Sequence, residues 1–151
     1  MVRSCPVSLL VALVGFTCFA HTAYAVQQDD VSQAIEAFLS SQKSGQEDAQ
    51  AQDRAMADLN NDGKPEIVLV WTLLGPTYWH NTLTVFTRVG GRYKAVASFP
   101  LTGEAKLNSV KAGIIFIDQK VLGKNDPLCC PSVKKRGKYR WLGKKISEVK
   151  K

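Results

Sequence analysis

Asp58-Leu59-Asn60-Asn61-Asp62-Gly63-Lys64-Pro65-Glu66 runs without a break into Ile67-Val68-Leu69-Val70-Trp71-Thr72-Leu73-Leu74. The second half decides the fold. Eight residues with hardly a polar side chain, rich in β-branched and aromatic types, describe a central strand buried on both faces. Gly75-Pro76 stops it. The first half carries chemistry. Side-chain oxygens fall at positions 1, 3, 5 and 9 of a tight loop, and a glycine at position 6 allows the sharp turn, which is how a calcium loop is written. Asp58, Asn60, Asp62 and Glu66 supply side-chain oxygens and Lys64 a backbone carbonyl. An EF-hand needs a bidentate Glu at position 12, which here is Leu69, so the loop joins strands instead of helices. The same residues also write an Asx-rich turn that needs no metal.

Outward from that stretch, the rest reads as strands behind one helix. Val31, Ile35, Phe38 and Leu39 repeat at helical period, giving a helix over about 31–42 capped by Asp29 or Asp30. Residues 40–53 read as a polar connection. Thr82–Arg88 alternates, Gly90-Gly91 turns it into Tyr93–Phe99, and Pro100 closes that strand. Leu107–Val110 pairs with Gly113–Asp118, and Val133–Arg136 with Lys138–Leu142 form a last short hairpin about Gly137. The expected fold is one α+β domain: an N-terminal helix packed on a mostly antiparallel sheet of about six to eight strands.

The ends of the chain point to export. Arg3, the 14-residue apolar run Val7–Ala20 and Ala23-Tyr24-Ala25 read as a secretory signal peptide cut before Val26. The run is short of the roughly 20 residues a spanning helix needs. Phe16 before Cys18 makes a poor lipobox, so lipidation is not expected. Cleavage leaves 126 of the 151 residues, and because Arg3 is the only charge lost the balance falls from +7 to +6. That length supports one core. The basic charge gathers at the end, where Lys134, Lys135, Arg136, Lys138 and Arg140 stand within seven residues. Export argues against nucleic acid as the partner. An anionic envelope component or an acidic protein fits, and so does a solvated, edge-protecting lysine face.

Two resemblances follow from these residues. Asp58 to Glu66 with its following strand resembles the calcium loops of FG-GAP and VCBS repeats. That resemblance implies a metal-pinned turn with Asp58, Asn60, Asp62, Lys64 and Glu66 as calcium ligands; those families carry several copies and this chain has one. Asp126-Pro127-Leu128-Cys129-Cys130-Pro131-Ser132, followed by a basic strand with Trp141, resembles the C-terminal motif of the LppP/LprE family of small exported lipoproteins. It implies a compartment and no activity.

After cleavage, Cys129 and Cys130 are the only cysteines. Exported proteins pair their cysteines, yet adjacent Cα atoms about 3.8 Å apart lie below the usual disulfide span. A strained vicinal disulfide, two free thiols and intermolecular bridges all fit. One histidine, His80, remains, beside Tyr78 and Trp79 in a loop suited to partner contact or to packing on the sheet end. No nucleophile elbow, phosphate loop or zinc spacing is present. The reading is a non-catalytic binding or inhibitor-type domain with a structural calcium ion; the alternative is an envelope hydrolase whose site forms only in three dimensions.

Overall fold

A computed structural model describes residues 19–127 and 130–150, with side chains from residue 29 onward. The expected signal segment therefore lies largely outside the described residues, as does Cys129 of the cysteine pair. One helix, α1 (Phe19–Gln42), precedes eight strands: β1 (Asp48–Ala57), β2 (Glu66–Leu74), β3 (Trp79–Val89), β4 (Arg92–Leu101), β5 (Glu104–Lys111), β6 (Ile114–Val121), β7 (Val133–Trp141) and β8 (Ile146–Glu148). The helix with antiparallel strands is as expected. The single sheet is not: the strands divide into two four-stranded antiparallel sheets, β1-β2-β3-β4 (sheet A) and β5-β6-β7-β8 (sheet B).

Three layers result, and β2 explains them. Every residue from Glu66 to Thr72 is buried. Because strand side chains alternate, Ile67, Leu69 and Trp71 face α1, joining Val31, Ile35 and Leu39 with Phe86 and Tyr93. Val68 and Val70 face the other way, joining Leu83 and Val85 against Ile115, Ile117, Tyr139 and Trp141 of sheet B. Sheet A is thus the middle layer, covered by the helix on one side and by sheet B on the other. Each fully buried side chain of this size contributes about 1.5–3 kcal/mol. Phe38 adds edge-on ring contacts to Trp71 at 5.6 Å and to Phe86 at 5.2 Å.

The local differences from expectation have physical causes. Helix α1 extends N-terminally past Val31 and is continuous through Ala25 and Val26. β1 occupies much of the stretch read as a connection. Its sequence, DAQAQDRAMA, has no β-branched residue, and it is held as a sheet edge by its ladder to β2, with Ala49 buried opposite Leu73. Pro100 does not end β4, which continues to Leu101 as the other edge of sheet A, where a missing N–H is tolerated.

The terminal hairpin about Gly137 is also not observed. β7 runs straight through this glycine, pairing with β6 from Val133 to Arg140, and the turn comes later, before β8. Gly137 is a seat for a ring: a Cβ there would lie 2.6 Å from the Tyr139 ring two residues on. Tyr139 is buried and its hydroxyl donates to Gln119 Oε1 at 3.0 Å. At the β5–β6 turn Ala112 is held at φ 48° and Gly113 at φ 71°. The first is a costly conformation for a residue with a Cβ.

Two substitutions therefore have opposite signs in denaturant unfolding. Gly137→Ala is expected to lower stability by about 1–3 kcal/mol through overpacking against Tyr139. Ala112→Gly is expected to raise it by about 1 kcal/mol by relieving the left-handed backbone.

Candidate functional site

The strand directions sort the candidate residues to two ends of the sandwich and one outer face. The 58–66 loop, the β5–β6 turn and the β7–β8 turn lie at one end. The β2–β3 turn with Tyr78, the 102–103 corner and residues 122–127 lie at the other, and Trp79 and His80, expected in a loop, are instead the first residues of β3, paired with Leu74 and Leu73. Asn81 ties that second end together by donating to the Gly103 carbonyl at 2.8 Å, and Gln119 donates to Thr102 O at 2.9 Å.

The 58–66 loop folds onto its own acidic side chains. Asp58 accepts from Gly63 N at 2.9 Å and Asp62 N at 3.2 Å. Asn60 Oδ1 accepts from Asp62 N at 3.0 Å, and Asp62 Oδ1 from Lys64 N at 2.8 Å. The Gly63 N–H is the main reason the Asp58 carboxyl sits below the usual range. Asn61 at φ 60° and Gly63 at φ 80° make the reversal. Asp58, Asn60 and Asp62 thus share one turn, with their oxygens turned toward backbone donors. Among the described residues no three His, Cys, Asp or Glu side chains are gathered as a metal-ligand set.

Glu66 stands apart from them. It is fully buried on the side of β2 that faces sheet B, and its carboxylate accepts from Leu59 N at 2.8 Å and from Thr87 Oγ1 at 3.3 Å. Burial raises its pKa, and the nearby charges of Asp62 and Asp58 add to the rise. Leu59 in turn inserts into the core between the sheets, where its carbonyl lies 2.8 Å from where a Gly113 Cβ would stand. The loop is therefore stapled to both sheets at its base. Nothing in the sequence marked Leu59 as that anchor, since it occupies a spacer position of the loop pattern.

Tyr78 lies across Gly75, where a Cβ would meet its ring at 2.3 Å, and its hydroxyl donates to Glu47. That bond raises the tyrosine pKa. Its ring is tilted against His80 at 5.4 Å, while Trp79 is 45% exposed.

The basic residues of β7 are ordered by their strand. Gly137, Tyr139 and Trp141 point inward, so Lys134, Arg136, Lys138 and Arg140 all stand on the outer face of sheet B, exposed. Lys135 falls on the opposite parity and pairs with Glu148 at 2.9 Å. The register adds cations that the sequence alone did not place there. Lys120 lies opposite Lys134, Lys106 opposite Asp118, and Lys111 opposite Ile114, which itself faces Arg140. The two carboxylates on this face are engaged: Asp118 by a fork from Arg136 at 2.5 and 3.1 Å, and Glu104 by Lys120 at 3.0 Å. Among the described residues, Lys106, Lys111, Lys134, Lys138 and Arg140 have no ion-pair partner. A trough of about 710 Å³ runs across the β5, β6 and β7 ends between Lys106, Lys120, Lys134 and Arg136.

Asp126 accepts from Gly123 N at 2.8 Å, Ser132 N at 2.7 Å and Ser132 Oγ at 2.8 Å, tying Gly123 and Ser132 together. These donors hold its carboxyl below the usual range. Cys130 is exposed; the expected bond to Cys129 falls outside the described residues.

No family model, curated protein or solved structure matches this chain.

The two oxygens of Glu66 make its structural role separable from any metal. Glu66→Ala leaves the Leu59 N–H unsatisfied beside a cavity and is expected to cost about 3 kcal/mol or more in denaturant unfolding. Glu66→Gln keeps an acceptor for the Leu59 N–H and replaces the acceptor of the Thr87 hydroxyl by an amide N–H that the hydroxyl can accept from, and is expected to stay within about 1 kcal/mol of the parent.

Proposed function

We propose that this chain is a small exported, non-catalytic binding domain. Its 58–66 loop takes a structural calcium ion, and the outer face of sheet B takes an anionic envelope component or an acidic protein. The observation that carries the reading is the uncompensated charge of that face. Seven cations stand there against two carboxylates that are already paired. Lys120 directly opposite Lys134 costs stability; a partner carrying negative charge removes that cost.

For the loop, the support is the donor set. Asp58, Asn60 and Asp62 lie on one turn, each carboxylate or amide oxygen retains a lone pair beyond its backbone contact, and the Lys64 carbonyl follows. Glu66 contributes from below, by charge or through water, while holding Leu59. Calcium there stabilises the end of the sandwich where both sheets meet the loop. Export rests on the leader-like residues 1–25. Cleavage before Val26 leaves Val31, Ile35 and Leu39, the packed face of α1, in the mature chain. Among the described residues no helix is long and apolar enough to cross a membrane.

Two measurements test the reading. Millimolar calcium is expected to raise the melting temperature over an EDTA control by several degrees, corresponding to about 1–2 kcal/mol for a weak extracellular-type site. Asp62→Ala removes the rise; an unchanged melting temperature in the parent rejects the ion. For the face, polyglutamate is expected to bind with an affinity that falls at least tenfold between about 50 and 200 mM salt. No binding at the lower salt rejects the partner class.

A further inference from the structure

The four outward cations of β7 form a ruler. Lys134, Arg136, Lys138 and Arg140 alternate with the inward Gly137, Tyr139 and Trp141. Consecutive cations therefore stand about 6.7 Å apart, and the row extends about 20 Å. The row follows the line of β7, which is paired to β6 from Val133 to Arg140 and so beneath all four cations. This is a one-dimensional array with a fixed repeat, unlike a scattered basic surface.

We infer that this row binds a linear phosphodiester polymer without bases, a polyol-phosphate chain, one phosphate to each cation. The inference rests on the anionic-partner reading above and names the partner. The charge spacing selects the chemistry. A peptide unit of three backbone bonds spans at most about 3.3–3.6 Å. A phosphodiester repeat with a three-carbon spacer has six backbone bonds, so when extended it spans about twice that, near 7 Å. Its phosphates match the cation repeat. Arg140, which has no ion-pair partner among the described residues, offers a forked donor that suits phosphate oxygens, while Arg136 keeps its fork on Asp118 and offers a phosphate its remaining N–H groups.

The face also argues against bases. Single-stranded nucleic acids are held by successive aromatic platforms as well as by charge. The outer face of β5, β6 and β7 carries one ring, Phe116, half-buried opposite Lys138. Phe116 and Ile114, half-buried opposite Lys138 and Arg140, offer an apolar floor to the carbon spacer between phosphates. The trough bordered by Lys106 and Lys120 continues the row sideways at its Lys134 end.

The test is equilibrium binding of the full chain at low salt to synthetic glycerol-phosphate oligomers of one to eight phosphates. Polyglutamate, oligodeoxythymidylate and anionic vesicles are the comparison ligands. Affinity is expected to climb steeply up to about four phosphates and more slowly beyond. Lys138→Glu, in mid-row, is expected to weaken the eight-phosphate oligomer at least tenfold. Lys150→Glu, which is outside any strand, changes it less than twofold. A length profile without a break near four, or equal weakening by both variants, overturns the inference. So does tighter binding to oligodeoxythymidylate or to vesicles. If polyglutamate binds and the oligomers do not, only the polyol-phosphate assignment fails; if neither binds, the anionic-partner reading fails with it.

Discussion

β2 is buried on both faces, and the remaining architecture is what that burial requires. A strand with Ile67, Leu69 and Trp71 on one side and Val68 and Val70 on the other needs a cover for each. The helix supplies one through Val31, Ile35 and Leu39. Sheet B supplies the other through Ile115, Ile117, Tyr139 and Trp141. Because apolar burial is the dominant favourable contribution to folding, removing either cover exposes half of the middle layer. The 102–103 corner, where the chain passes from sheet A to sheet B, is what lets one sequence of hairpins fold back as its own lid.

Being the outermost layer gives sheet B its second property. Its inner face is committed to the core, and among the described residues no helix or strand covers its outer face, where Lys106, Lys120, Lys134, Arg136, Lys138 and Arg140 are exposed. The same alternation that places Tyr139 and Trp141 inside puts Lys134, Arg136, Lys138 and Arg140 in line outside. Core and charge are two faces of one strand. Glu66 performs a related double duty at the loop end, where it satisfies the Leu59 N–H beneath the side chains that would hold an ion. A carboxylate placed there keeps the loop seated whether or not metal is bound.

Much of this was legible in the sequence. The unbroken apolar run of 67–74 announced a strand with two buried faces, and the period of Val31, Ile35 and Leu39 announced the helix that covers one of them. The second cover was not legible as a separate sheet. Pairing between strands distant in sequence sets sheet number, and local patterns are silent about it. The first half of β1, residues 48–52, was read as a connection because its alanines and glutamines carry no strand propensity and owe their conformation to β2. Gly137 was misread because a glycine between short apolar or basic runs signals a turn, whereas here the absence of a side chain makes room for a ring. The cations of β7 could be read from sequence; Lys106, Lys111 and Lys120 became part of the same face only through register.

Native-state hydrogen exchange tests the two-sided burial of β2 most directly. The account predicts that the slowest amides in the molecule belong to Val68–Trp71 and to the facing part of β3 around Leu83–Val85, exchanging only through global unfolding. Slower exchange in sheet B than in β2, or opening of β2 at a free energy well below the global value, contradicts the three-layer account.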